Sequence, residues 1–243
     1  MKTVICSELY KMKIRRKQKG VFWVTLLLVL FFCIYSLCYK NVEITEFIYF
    51  YMQKLFALLI SLEIFYNYFF QEEYQYGTQK NLVWIELDKK KLFLGKFIVQ
   101  WITVSVNYVL LSLVLLMFVL PEVKSADEVT DMLCVLGAFY FVIVRSMVLF
   151  DFLTIQWKND YITFILYWCV VNFAGLLIAV PEWLLRMDMG ISEYTIQGQL
   201  SYVFLCAMEG MGYVKNIVVN VLCSLIGLLF CLVLYARTDK LLN

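Results

Sequence analysis

Apolar and polar residues alternate along this chain in blocks of membrane length. Val21–Tyr39 is an unbroken apolar run of 19 residues. Further runs follow at about 47–70, 94–120, 132–152, 161–180 and 217–235. A helix rises about 1.5 Å per residue, so about 20 apolar residues cross a hydrocarbon core about 30 Å thick. The pattern predicts an all-α membrane protein with six transmembrane helices. No small-residue cleavage site follows the first run, so it reads as an uncleaved span. Short polar turns separate most runs: Lys40–Glu46, Pro121–Val129 and Gln156–Asp160. Two intervals are longer, Gln71–Lys96 between the second and third spans and Pro181–Asn216 before the sixth.

The flanking cations set the orientation. Fifteen Lys and Arg residues fall on the side of both termini, the Gln71–Lys96 interval and Lys158. Four fall opposite: Lys40, Lys124, Arg186 and Lys215. Both termini and Gln71–Lys96 are therefore expected in the cytoplasm, and Pro181–Asn216 outside. The basic tail of residues 1–20 carries Ile5, Leu9 and Met12 near helical spacing, which predicts an amphipathic helix on the inner membrane face. In the outer interval, Ile196, Leu200, Val203, Phe204 and Ala207 recur at threes and fours. That spacing predicts a re-entrant or surface helix. Gly210 and Gly212 would turn the chain into the last span.

Composition agrees. The chain is 63% hydrophobic and 16% charged, with a mean hydropathy of +0.78; soluble domains carry about 25% charge. Two prolines and few glycines leave no linker, so residues 1–243 read as a single transmembrane domain. The net charge of +2 by itself says nothing about partners, and no nucleic-acid partner is expected.

Little catalytic chemistry is available. There is no histidine, which removes the commonest general base and metal ligand. The eight cysteines form no C-x-x-C pair and lie mostly in apolar runs, as buried hydrophobes would. Metal and catalytic sites are therefore expected to be absent. Gly95-Lys96-Phe97 lacks the upstream glycine and the hydroxyl of a nucleotide-binding loop. The Glu72-Glu73 pair has no histidine with which to build an intramembrane protease.

Ionisable groups within spans are functional candidates. Glu63 and Arg145 lie at matching depths, about 10 and 9 Å from the cytoplasmic ends of the second and fourth spans at ~1.5 Å per residue. They are expected to pair, as a static strut or as a gate. Charge reversal at both positions should then restore what each single reversal loses. Lys54 lies on the opposite face of its helix from Glu63 and would snorkel outward. Asn107 and Asn172, near mid-membrane, are expected to bond between helices.

In the Gln71–Lys96 interval, Glu73, Gly77, Lys80 and Asn81 share one face of a short surface helix. Gly77 would let another surface approach the backbone. Asp88 is placed to cap the third span. The interval reads as a meeting place for a soluble partner.

At these residues the chain resembles the type-2 permease family of ABC transporters. The similarity lies in Glu73 with Glu72 beside it, Gly77-Thr78, Lys80-Asn81, the basic turn Asp88–Lys91 and Gly95-Lys96. Lys89–Lys91 stand where the family often has arginine, and Gln79 where it often has an apolar residue. The resemblance implies that Glu72, Glu73, Gly77, Thr78, Lys80 and Asn81 form a coupling helix docked on a separate ATP-binding cassette subunit. It implies two copies of that subunit, a second permease chain (identical or paralogous), and a surround of membrane lipid. The cofactors, ATP and Mg, would sit on the partner and none on this chain, which would not itself be an enzyme. The expected activity is export of an amphipathic substrate, an antimicrobial or other peptide, across a bacterial cell membrane. The alternatives are efflux of a drug, lipid or glycan, or a non-transporting sensor or scaffold subunit.

Overall fold

A computed structural model describes residues 2–14, 23, 26–27, 30–31, 34, 89–119, 126–184, 190–209 and 212–237. Among the described residues there is no strand. The helices are α1 (Lys2–Ile14), α2 (Lys89–Val119), α3 (Ala126–Trp157), α4 (Asp160–Leu184), a short 3-10 turn (Ile191–Tyr194), α5 (Ile196–Glu209) and α6 (Val214–Arg237). Trp23, Leu26, Leu27, Leu30, Phe31 and Ile34 are also helical. Most of the first two predicted spans lies outside the described residues.

Four helices are long and apolar enough to cross a membrane, over Lys89–Met117, Val129–Trp157, Tyr161–Val180 and Val214–Arg237. Each coincides with a predicted span, and α2 and α3 run further than hydropathy suggests. In α3 the helix includes Asp127 and Asp131 at one end and Gln156 and Trp157 at the other. Interfacial polar residues end an apolar window without ending a helix. Likewise, Pro181 was expected to open the outer segment, yet α4 continues through it to Leu184.

The helix α3 is the hub. Of its most apolar 18-residue stretch, 56% is buried, against 17% for α4 and for α6. Its Val142, Ile143, Met147 and Phe150 are fully inaccessible. It packs on α2, α4, α5 and α6. Against α2 it runs antiparallel: the Tyr108 hydroxyl donates to the Leu136 carbonyl at 2.7 Å, and Ser105 and Tyr140 share a 2.6 Å hydrogen bond. Phe150 meets Tyr167 of α4 edge-on, with ring centroids 5.0 Å apart. Gly227 lets α6 close on α3, since a Cβ there would lie 2.7 Å from Val148 Cγ1. The outer flanks of α4 and α6 stay apolar and exposed, with Ile165, Leu176, Leu177, Leu225, Leu229 and Phe230 all uncovered. Exposed apolar bands of this size suit lipid.

The turn between α3 and α4 is as tight as expected. Lys158 adopts a left-handed conformation (φ 52) and ends α3. Asn159 Oδ1 then accepts from the amides of Tyr161 and Ile162, capping α4.

The N-terminal helix forms, and a different side of it from the predicted apolar face packs on the protein. Val4 (7% exposed) and Glu8 (1%) are buried, one turn apart, while Leu9 is 44% exposed. The reason is Gly95. A Cβ there would lie 2.8 Å from Val4 Cγ1, so the missing side chain is what lets α1 seat on the first turns of α2.

Cysteine burial is mixed. Cys206 and Cys231 are buried as expected, whereas Cys6 and Cys134 are exposed.

Candidate functional site

The most developed polar cluster among the described residues lies within the bundle, where the outer segment meets α3 and α6. Its foundation is the segment Gly190–Gln199. Gly190, at φ 61, takes the left-handed turn that starts the 3-10 helix. Thr195 ends that turn and starts α5: its Oγ1 donates to the Ser192 carbonyl at 2.8 Å and accepts from the Gly198 amide at 3.0 Å. Gly198 permits the crossing. A Cβ there would overlap the Ser192 carbonyl oxygen and lie 2.7 Å from that of Glu193.

Two carbonyls at the end of the turn would otherwise be left without partners. Non-helical backbone at membrane depth must be satisfied by protein. Gln199 Nε2 donates to the Glu193 carbonyl at 2.8 Å, and Arg145 Nη2 donates to the Tyr194 carbonyl at 2.6 Å. Arg145 Nη1 also donates to Asn220 Oδ1 at 3.3 Å. Asn220 Nδ2 in turn donates to Gln199 Oε1 at 3.1 Å, and Asn216 Nδ2 to the same oxygen at 3.0 Å. The bonds close a ring: Arg145 from α3, Asn220 from α6, Gln199 from α5, then back through the turn. Ser224 extends it along α6, donating to the Asn220 carbonyl at 2.7 Å. Asn216, Asn220 and Gln199 are almost fully buried. Among the described residues, Asn216 Oδ1 has no hydrogen-bond partner.

This ring fixes the depth of the outer segment. Arg145 is twelve residues from the end of α3, about 18 Å along it at ~1.5 Å per residue. Thr195 also packs beside Gly175, nine residues inside the end of α4. The start of α5 therefore dips between the spans, as a re-entrant helix does. The predicted face is realised, with Ile196 and Val203 buried and Leu200 packed on the core. Gln199 and Cys206 share that face. On the rim, the Lys215 ammonium lies 3.8 Å from Glu193 and over the rings of Tyr194 and Tyr202, at 5.9 and 5.3 Å.

A second polar cluster lies toward the other end of α3. Gln100 of α2 donates to Asp151 Oδ1 at 3.0 Å, both fully buried. Lys96, one turn from Gln100, is 1% exposed. Phe93 of α2 meets Tyr235 of α6 in a tilted ring contact, with centroids 5.4 Å apart, and Cys231 Sγ contacts the Val148 carbonyl at 3.8 Å. Among the described residues, no group of His, Cys, Asp and Glu could hold a metal ion.

Several predicted positions can now be placed. Arg145 was expected near the cytoplasmic end, measured from Asp151 as a boundary. Asp151 is instead fully buried and bonded to Gln100, so Arg145 sits deeper than expected. Its described partners are Tyr194 and Asn220. Among the described residues, the Asn172 amide donates to the Trp168 carbonyl of its own helix at 2.8 Å. Asn107 is buried on α2. Glu63, Lys54, Glu72, Glu73, Gly77, Thr78, Lys80, Asn81 and Asp88 lie outside the described residues. Sequence reasoning missed Gln199, Asn216 and Asn220. The signal was present as Asn216, Asn220 and Ser224 at steps of four on one helix face. Starting the last span at Ile217 left Asn216 outside it and the row unread.

No curated protein matches the chain. A model of the ABC-2 family transporter proteins matches residues 4–175, more than half of the chain and including α1, α2, α3 and most of α4. This multi-pass membrane protein, built on a buried α3 with a polar ring between its spans, thus belongs to the ABC-2 family of transporter membrane subunits.

Proposed function

We propose that the chain is the permease half of an ATP-driven exporter. It couples hydrolysis by separate ATP-binding subunits to the outward passage of an amphipathic peptide. The observation that carries this reading is the family match over residues 4–175 in a chain whose sequence holds no nucleotide-binding loop. ATP and magnesium are then held by the partner. Two permease chains complete the pore, and both termini face the ATP-binding subunits.

The packing supports a mechanical route. The Gln71–Asp88 interval leads directly into α2 at Lys89. Leu92 and Phe93 of its first turns are buried against α1 and α6. Gly95 interlocks with Val4. A force on the interval would therefore move α1, α2 and α6 together, since close-packed interfaces shift as bodies rather than deform. The ring of amides and one guanidinium, framed by apolar helices, suits a substrate with both apolar and polar surfaces.

The test is co-expression with the candidate ATP-binding subunit and reconstitution in nanodiscs. The two should co-purify, and amphipathic peptide should stimulate hydrolysis. Gly77→Trp should leave the permease folded but abolish stimulation. If no ATP-binding subunit co-purifies, the coupling reading fails; if only neutral drugs stimulate, the peptide reading fails.

A further inference from the structure

We propose that Arg145 is the anchoring cation for the carboxylate end of the exported substrate. Occupation of that site would release the re-entrant segment from α3. The inference rests on the exporter reading above and names the chemistry of its substrate.

The first observation is the company Arg145 keeps. A cation about 18 Å along a spanning helix is costly unless paired. Its described hydrogen bonds go to a carbonyl oxygen and a side-chain amide oxygen, both neutral. A guanidinium offers five N–H donors in a planar fork matched to a carboxylate. Two Nη donors are engaged, one on each nitrogen, and the side chain is only half-buried. The fork is thus held in place with donors to spare.

The second observation is the surrounding ring. Gln199, Asn216 and Asn220 supply uncharged polar groups in a layer otherwise bounded by apolar residues. Gln199 bonds to the turn and accepts from Asn220, and Asn220 in turn accepts from Arg145, which pre-sets the guanidinium. An arriving carboxylate competes with the Tyr194 carbonyl for Nη2. A carboxylate brings a full opposite charge and two oxygens matched to the guanidinium fork, which the neutral carbonyl cannot offer, so the carboxylate wins. Tyr194 then loses its tie to α3. The outer segment keeps its link through Gln199 to α6 and its rim contact with Lys215. Substrate arrival and loosening of the outer segment become one event.

The test uses the full chain in nanodiscs of phosphatidylcholine, without nucleotide or partner, so that it can fail independently of the exporter reading. The probes are N-dodecanoyl-glycine, its C-terminal amide and dodecyl phosphate, titrated calorimetrically. The free carboxylate should bind at least tenfold more tightly than the amide. Arg145→Gln should remove that preference, and Arg145→Lys should keep part of it. Hydrogen exchange across 190–199 should quicken with the carboxylate and not with the amide. Equal binding of carboxylate and amide by the native chain overturns the proposal. So does a preference that appears only in Glu63→Gln, which would assign the guanidinium to Glu63. An Arg145-dependent preference for dodecyl phosphate over the carboxylate overturns the peptide assignment in favour of a lipid headgroup.

Discussion

Gly198→Ala isolates the crossing on which the re-entrant segment depends. The added Cβ would overlap the Ser192 carbonyl oxygen and lie 2.7 Å from the Glu193 carbonyl oxygen and 2.8 Å from Glu193 Cα. These are backbone atoms, so no side chain can swing aside, and the 3-10 turn itself must move. Overpacking of this kind costs about 1–3 kcal/mol. Displacing Glu193 also weakens the bond from Gln199, worth about 1 kcal/mol, and strains the one from Arg145 to Tyr194. Alanine's higher helix propensity offsets about 1 kcal/mol. The net expectation is a loss of about 1–3 kcal/mol. Gly137→Ala is the control, since nothing lies within 4 Å of a Cβ there and the residue sits inside α3. It should gain up to about 1 kcal/mol from propensity alone. The assay is unfolding in mixed micelles as the dodecyl sulfate fraction rises, followed by circular dichroism. The two substitutions should shift the midpoint in opposite directions. A Gly198→Ala midpoint equal to or above the native one would refute the reasoning.

Other expectations follow from the same contacts. Asn220→Ala removes acceptor and donor together from Arg145 and Gln199, and should cost about 2–3 kcal/mol in the same assay. Asn172→Ala, whose described bond lies within its own helix, should cost under about 0.5 kcal/mol. Gly95→Leu should lift α1 off α2 while leaving α3 to α6 folded, seen as faster tryptic cleavage within residues 1–20 and an unchanged unfolding midpoint for the rest. Burial, reinforced by Asp131, pushes the Tyr213 phenol up to about 12 from its usual 10. Its neutral form therefore contributes stability that is intact below pH 10 and is lost as pH rises from about 10 to 12. Tyr213→Phe should flatten stability across that window, measured as the unfolding midpoint against pH.

Much of the architecture was legible from residue pattern alone. Four predicted spans coincide with helices, because a 20-residue apolar run has few alternatives in a bilayer, where backbone groups must bond within the segment. The face of α5 was also legible, since Ile196, Leu200 and Val203 repeat at helical spacing. The Lys158-Asn159 turn followed from polarity. These are local properties, decided by each segment's own composition and the solvent around it.

Partnership was not local. Arg145 looked like half of an ion pair because a buried cation calls for an anion, and hydropathy placed it by a false boundary at Asp151. Its described partners are a carbonyl 49 residues on and an amide 75 residues on. A carbonyl has no sequence signature, because every residue carries one. Which carbonyl lacks a helical partner depends on where the chain breaks from helix. Gly198 and Gly95 likewise read as ordinary small residues; their roles arise because Ser192 and Val4 are brought against them. The sequence by itself determined that this chain crosses a membrane and where the four described spans lie. Only the tertiary structure decided which cation meets which backbone break, because that pairing is set by the depth at which the re-entrant segment packs between α3, α4 and α6.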